Sequence, residues 1–104
     1  MPAHRTPLPR VSPKEGLILE LLTGSGQMYG LELVAASGGE LKRGTVYVTL
    51  GRMEEKGYIT SWLDPAVPAT GGLPRRLYKT TPLGREVVST VTAMRKRLVP
   101  RMAR

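Results

Sequence analysis

The stretch 42-KRGTVYVTLGRMEEKGYI-59 decides how the rest of the chain is read. Val46, Leu50 and Met53 recur at i, i+4 and i+7, the spacing of one helix face, which predicts a helix from about Gly44 or Thr45 to Lys56 with those three in a core. Thr45, Val48, Thr49 and Arg52 then project the other way, with Tyr47 at the boundary. Gly57 is a helix stop, and beyond it apolar residues recur at every second position. The runs 58-YITSWL-63 and 75-RRLYKT-80 read as strands, and 64-DPAVPATGGLP-74 between them is too rich in Pro and Gly for anything except a hairpin tip.

Working outward toward the N-terminus, Ser12-Pro13-Lys14-Glu15 is a helix start, with Ser as N-cap, Pro at the first helical position and Glu closing a capping box. Leu17, Ile18, Leu21 and Leu22 lie on one side of that helix, and Gly24-Ser25-Gly26 ends it. A second helix is expected over Met28 to Ser37, with Tyr29, Leu33 and Ala36 on one stripe and Gly38-Gly39 as the stop. Residues 1–11, MPAHRTPLPRV, show no periodicity and are expected to be a mobile basic arm.

Toward the C-terminus, Thr81-Pro82 repeats the cap-plus-proline start and opens a helix running to about Val99. Leu83, Val87, Val91, Met94 and Leu98 make a heptad-like seam on it. Its first turn packs on its own domain, whereas Val87, Val91, Met94 and Leu98 are expected to pair with the same helix of a second copy. The β-branched run VVSTVT is an indifferent helix former, so packing must support it.

The order helix, helix, helix, hairpin, helix predicts a mainly α fold with a small β-hairpin, a winged helix-turn-helix at 12–81 followed by a C-terminal dimerisation helix and basic tail at 82–104. In this architecture the third helix enters the DNA major groove and the hairpin reaches the flanking backbone. The turn of about seven residues, SGGELKR, is longer than the tight helix-turn-helix version.

Composition supports a polyanion partner. Sixteen Lys and Arg against eight Asp and Glu leave a net charge of +8. Arg75, Arg76 and Lys79 cluster by the hairpin, Lys42 and Arg43 precede the third helix, and Arg95, Lys96, Arg97, Arg101 and Arg104 end the chain. The same charge fits an ordinary solvated surface. A chain of 104 residues is one domain. With no Cys and a single His at position 4, no triad, metal box or phosphate-cradling loop can be assembled, so no enzyme and no cofactor are expected. The most apolar N-terminal run, GLILELL, is too short for a membrane span and lacks a signal peptide's cleavage pattern, so a cytoplasmic protein is expected.

Three fragments in order add a resemblance. Tyr29, Gly30 and Leu33 come first; Gly44, Thr45, Val46, Tyr47, Leu50, Arg52, Met53, Glu54 and Gly57 follow; Arg76, Tyr78, Thr81 and Gly84 close the set. Together they resemble the PadR family of bacterial winged-helix transcription regulators over about residues 17 to 90. Two departures stand out: Val48 occupies the place where the family usually has proline, and the hairpin loop is longer. The resemblance implies a sequence-specific regulator, a repressor acting as a homodimer on an inverted repeat of double-stranded DNA, and a single C-terminal helix that makes the dimer. Some family members bind drugs, so a small-molecule effector of unknown identity stays open as a partner, with Trp62 and Tyr78 read either as core or hairpin packing or as its platform.

For the individual residues two readings stay open. Lys42, Arg43, Thr45, Tyr47, Thr49 and Arg52 contact DNA, with Arg52 bridging a guanine or reaching only a phosphate, or they are the wet side of a helix. Arg75 and Arg76 contact the DNA backbone or protect a strand edge by charge. The rival for the whole chain is a winged helix that docks another protein; lipid binding by the basic tail is a weaker third. The basic tail itself either favours the helix C-terminus or touches DNA.

Overall fold

The computed structural model describes residues 10–65 and 75–102, with side chains up to Ala93. The expected N-terminal arm up to residue 9, the tip of the hairpin and residues 103–104 lie outside the described residues. The elements are α1 (Pro13–Ser25), β1 (Met28–Tyr29), α2 (Gly30–Ala36), α3 (Val46–Glu55), β2 (Ile59–Leu63), β3 (Arg76–Thr80) and α4 (Pro82–Met102). This is a winged helix, with four helices and a small antiparallel sheet.

α1 begins where its cap chemistry requires. The Glu15 N–H donates to Ser12 Oγ at 3.1 Å and the Ser12 N–H donates to Glu15 Oε1 at 3.0 Å, so two orphan donors of the first turn are satisfied reciprocally. The buried stripe of α1 is Ile18, Leu19 and Leu22, all at 0 % exposure, so the expected face is rotated by part of a turn, with Leu17 and Leu21 at its edges. The reason is that α2, α3, β3 and α4 all pack on α1, which is the central post of the domain. Val46, Leu50 and Met53 from α3 join it, as their spacing predicts, together with Leu33, Leu41, Ile59 and Tyr78. Burial of each such side chain contributes roughly 1.5–3 kcal/mol before chain entropy is subtracted.

Two expectations are corrected. The second helix does not begin at Met28: residues 28 and 29 form β1, which pairs antiparallel with β3 through Met28–Tyr78 and Tyr29–Leu77. The hairpin therefore becomes a three-stranded sheet of order β1-β3-β2, and Tyr29 leaves the helical stripe. Two residues are too few to display a period, so only the pairing partner reveals the strand. α2 buries Gly30 and Leu33, while Ala36 is exposed. Ser37 closes it, donating to Val34 O at 2.8 Å and accepting from the Leu41 N–H at 3.0 Å, which pins the long turn before α3.

The second correction concerns α4. Val87, expected on a partner-facing seam, is 5 % exposed and packs with Val88 into the chain's own core. Val91 leans on the same core from its edge. α1 and β3 need a cover, and α4 supplies it well past its first turn. The side chains of Met94 and Leu98 lie outside the described residues.

The start of α4 is held on the chain that leaves α3. Thr81 N–H donates to Tyr58 O at 3.0 Å and Thr81 Oγ1 donates to Gly57 O at 2.5 Å, while the Gly84 N–H donates back to Thr81 Oγ1 at 3.0 Å. Gly84 sits on that same peptide: a Cβ there would lie 2.0 Å from Tyr58 O. Thr81 and Gly84 are thus a docking surface of α4, which is the physical content of their shared fragment.

Candidate nucleic-acid interface

α3 is the natural starting point, and its 3.6-residue turn sorts its side chains into four faces. Val46, Leu50 and Met53 point into the core. The face directly opposite carries Val48, Gly51 and Glu55, all exposed, with Val48 at 58 %. Thr45, Thr49, Arg52 and Lys56 follow one another along the flank toward α1, and Tyr47 and Glu54 lie on the flank toward α2 and the sheet. The outward face is therefore small and nearly uncharged at its centre. Gly51 has open space around it, with nothing within 4 Å of a Cβ placed there.

The flank toward α1 forms one wall of a groove of ≈ 610 Å³ whose other wall is the start of α1. Lys56 closes its far end: its ammonium lies 3.0 Å from both oxygens of Glu15 and donates to Arg10 O at 3.1 Å. Glu15 is only 4 % exposed, so a buried acid is neutralised beneath the groove and α3 is tied by its last turn to the first turn of α1. Sequence reading missed this tie because 41 residues separate the partners.

On the other flank, Tyr47 is half exposed and its ring lies over Gly30. A Cβ at position 30 would meet the Tyr47 ring at 2.6–2.8 Å, so the glycine that opens α2 leaves room for this ring. Lys42 and Arg43 are exposed at the N-terminal end of α3, where helix-turn-helix proteins contact base edges. Thr45 is the N-cap residue, and no side-chain cap bond occupies it.

The expected wing residues have partners within the domain. The Arg75 guanidinium stacks over the Tyr29 ring, 4.2 Å from its centroid, and the Tyr29 hydroxyl donates to the Asp64 carboxylate in a short bond. The Asp64 N–H donates to Arg75 O at 2.7 Å, closing the base of the wing. Arg76 Nη1 donates to Ser61 Oγ at 3.1 Å, and Ser61 donates on to Glu54 Oε2 at 2.6 Å. Arg75 thus ties the base of the wing to the residue before α2, and Arg76 braces Ser61 across the wing while Ser61 itself bonds the last turn of α3, roles that sequence reading missed. The bond to Asp64, with desolvation and the Asp64 charge added, raises the Tyr29 phenol above its ordinary value. Burial, reinforced by Glu54, does the same to Tyr78.

Among the described residues no group of His, Cys, Asp or Glu could hold a metal ion, and no helix is long and apolar enough to cross a membrane. What the fold presents is a winged helix with its third helix uncovered, the architecture of a DNA-binding regulator. The sequence matches the Transcriptional regulator PadR-like family over residues 18–90, and the chain belongs to that family. Its members are transcription regulators.

Solved structures agree. A PadR family transcription regulator from Clostridium difficile R20291 is 26% identical, with 88% of this chain and 94% of that one covered and a TM-score of 0.69. A PadR family transcriptional regulator from Eggerthella lenta is 28% identical, with 84% and 78% covered and a TM-score of 0.66. A PadR-like transcription factor from Bacteroides fragilis, at 23% identity, 85% and 84% coverage and a TM-score of 0.68, shares the fold. No curated protein matches the chain.

Proposed function

We propose that this chain is a cytoplasmic repressor that binds an inverted-repeat operator as a homodimer, through the outward face of α3 and the wing. The observation that carries this reading is the division of α3. One face is committed to the core, the opposite face is small over Val48 and Gly51 before Glu55 ends it, and hydroxyls and cations line its flank toward α1. Lys42, Arg43, Thr45 and Tyr47 cluster at the end of α3 that leads into the groove, and Val48 offers an apolar contact suited to a thymine methyl. Arg75, stacked on Tyr29, and Arg76, bonded to Ser61, are held at the base of the wing and offer their remaining N–H groups to the DNA backbone.

Pairing in this reading rests on α4 beyond Ala93, which continues as helix to Met102 and carries Met94 and Leu98. Two copies related by a two-fold axis bring two α3 helices to successive major grooves, about 34 Å apart. Occupancy of a promoter by such a dimer blocks transcription. The test is duplex binding on fragments upstream of the chain's own gene, followed by footprinting and by sedimentation to count protomers. A two-fold protected site bound by a dimer supports the reading; a protein that binds no genomic fragment in dilute buffer removes it.

A further inference from the structure

The groove between α1 and α3 brings together residues that neither the family match nor the sequence had joined. Arg10 comes from the segment that leads into α1 and Lys14 from its first turn, where nothing in the motif fragments points. Facing them is the flank stripe of α3, Thr45, Thr49 and Arg52, at i, i+4 and i+7. Among the described residues none of Arg10, Lys14 and Arg52 forms an ion pair, and Glu15, the acid that lines the groove with them, is paired with Lys56. All three are exposed.

The attraction here is not that of a bare helix end. The first turn of α1 is closed by its own capping box, and Glu15 supplies the negative charge there. What remains is a trough with two cations on one wall, a third on the opposite wall, and two threonine hydroxyls along its side. A phosphodiester, one negative charge with oxygens on two sides, suits such a trough. Because the groove is open and shallow, it fits a segment of continuous backbone better than an enclosed small ion.

We propose that this groove seats a backbone phosphate of the bound duplex, held by Arg10 from the segment leading into α1, by Lys14 from the first turn of α1 and by Arg52 from α3. The proposal rests on the DNA-binding reading above and extends the interface to α1. It also assigns Arg52 to phosphate and not to a base edge. Arg52 lies in the last turn of α3 and on its flank, whereas base contacts come from the N-terminal residues of such a helix.

The experiment measures anisotropy of a labelled operator and of an unrelated duplex across a salt series, for wild type, Lys14→Ala, Arg10→Ala and Arg52→Ala. Each variant is expected to lose affinity equally on both duplexes. The slope of log K against log salt should shallow by about 0.9 per protomer engaged, which corresponds to roughly eightfold at ~0.1 M salt. Thermal melts show that the variants remain folded, since all three side chains are exposed.

Wild-type slopes retained by both Lys14→Ala and Arg10→Ala overturn the proposal while leaving DNA binding intact. A loss confined to the operator for Arg52→Ala also overturns it, because that marks base readout. Inorganic phosphate is titrated in parallel against the same variants. Saturable, Lys14-dependent binding of phosphate combined with an unchanged duplex slope would assign the groove to a small anion and end the proposal. Wild type that binds neither duplex sinks the function itself, a different result from either of these.

Discussion

Gly84→Ala is the substitution whose cost can be worked most directly from the structure. A Cβ at this position would lie 2.0 Å from Tyr58 O, 3.0 Å from Tyr58 C and 3.4 Å from Leu19 Cδ2. The two nearest are backbone atoms and cannot rotate aside, so α4 has to retreat by roughly 1.4 Å to reach ordinary carbon–oxygen separation. That movement stretches the Thr81 N–H to Tyr58 O bond and the Thr81 Oγ1 to Gly57 O bond, now 3.0 and 2.5 Å. Overpacking costs about 1–3 kcal/mol and each hydrogen bond about 1 kcal/mol, against which alanine's helix propensity returns up to about 1 kcal/mol. The net loss is about 2–4 kcal/mol, and at ~4 °C per kcal/mol the melting temperature falls by about 8–16 °C. Differential scanning calorimetry reads this, with Gly24→Ala as control, because nothing lies within 4 Å of a Cβ there. A Gly84→Ala protein that melts with the wild type would show that α4 does not sit on the Tyr58 peptide, and the placement of the pairing helix would fall with it.

Gly51→Ala, on the uncovered face of α3, is expected to raise stability by up to ~1 kcal/mol, read by the same melts. Gly51→Leu should weaken operator binding by roughly tenfold or more; unchanged affinity would mean that this face does not meet the duplex. Lys56→Met strands the Glu15 carboxylate. Since Lys56 is 36% exposed and solvent screens it, the expected loss is about 1–2 kcal/mol in a urea melt, largely recovered by adding Glu15→Gln. No loss would show that the tie between α1 and α3 carries no weight. For Tyr29, the folded phenol titrates above its ordinary value of 10.0, so the stability it adds is complete below that value and is lost as pH rises through the raised one. In an alkaline absorbance titration, Asp64→Asn should bring one phenol down toward its ordinary range; an unchanged curve would mean that the Tyr29–Asp64 bond does not form in solution.

The sequence by itself determined the elements whose information is local. Ser12 and Glu15 are three residues apart, and their capping box needs nothing beyond α1. Val46, Leu50 and Met53 carry their face in their spacing, and the Pro- and Gly-rich loop separates two strands that pair in the expected antiparallel sense. Period, cap and turn are short-range properties of the chain, so a reader of residues recovers them. The exposed positions of α3 follow from the same arithmetic.

Tertiary structure decided what depends on partners distant in sequence. β1 is two residues long and is a strand only because β3 lies beside it. Val87 keeps a heptad spacing suited to a partner helix, but the nearer apolar surface is its own domain's, and burial follows the nearer surface. Arg75 and Arg76 carry the charge expected of a wing, yet a ring and a hydroxyl brought up by other elements capture part of each. Arg10, Lys14 and Arg52 become one site only when α1 is laid along α3. Contacts across tens of residues are set by which surfaces the whole core brings together, and no local pattern encodes them.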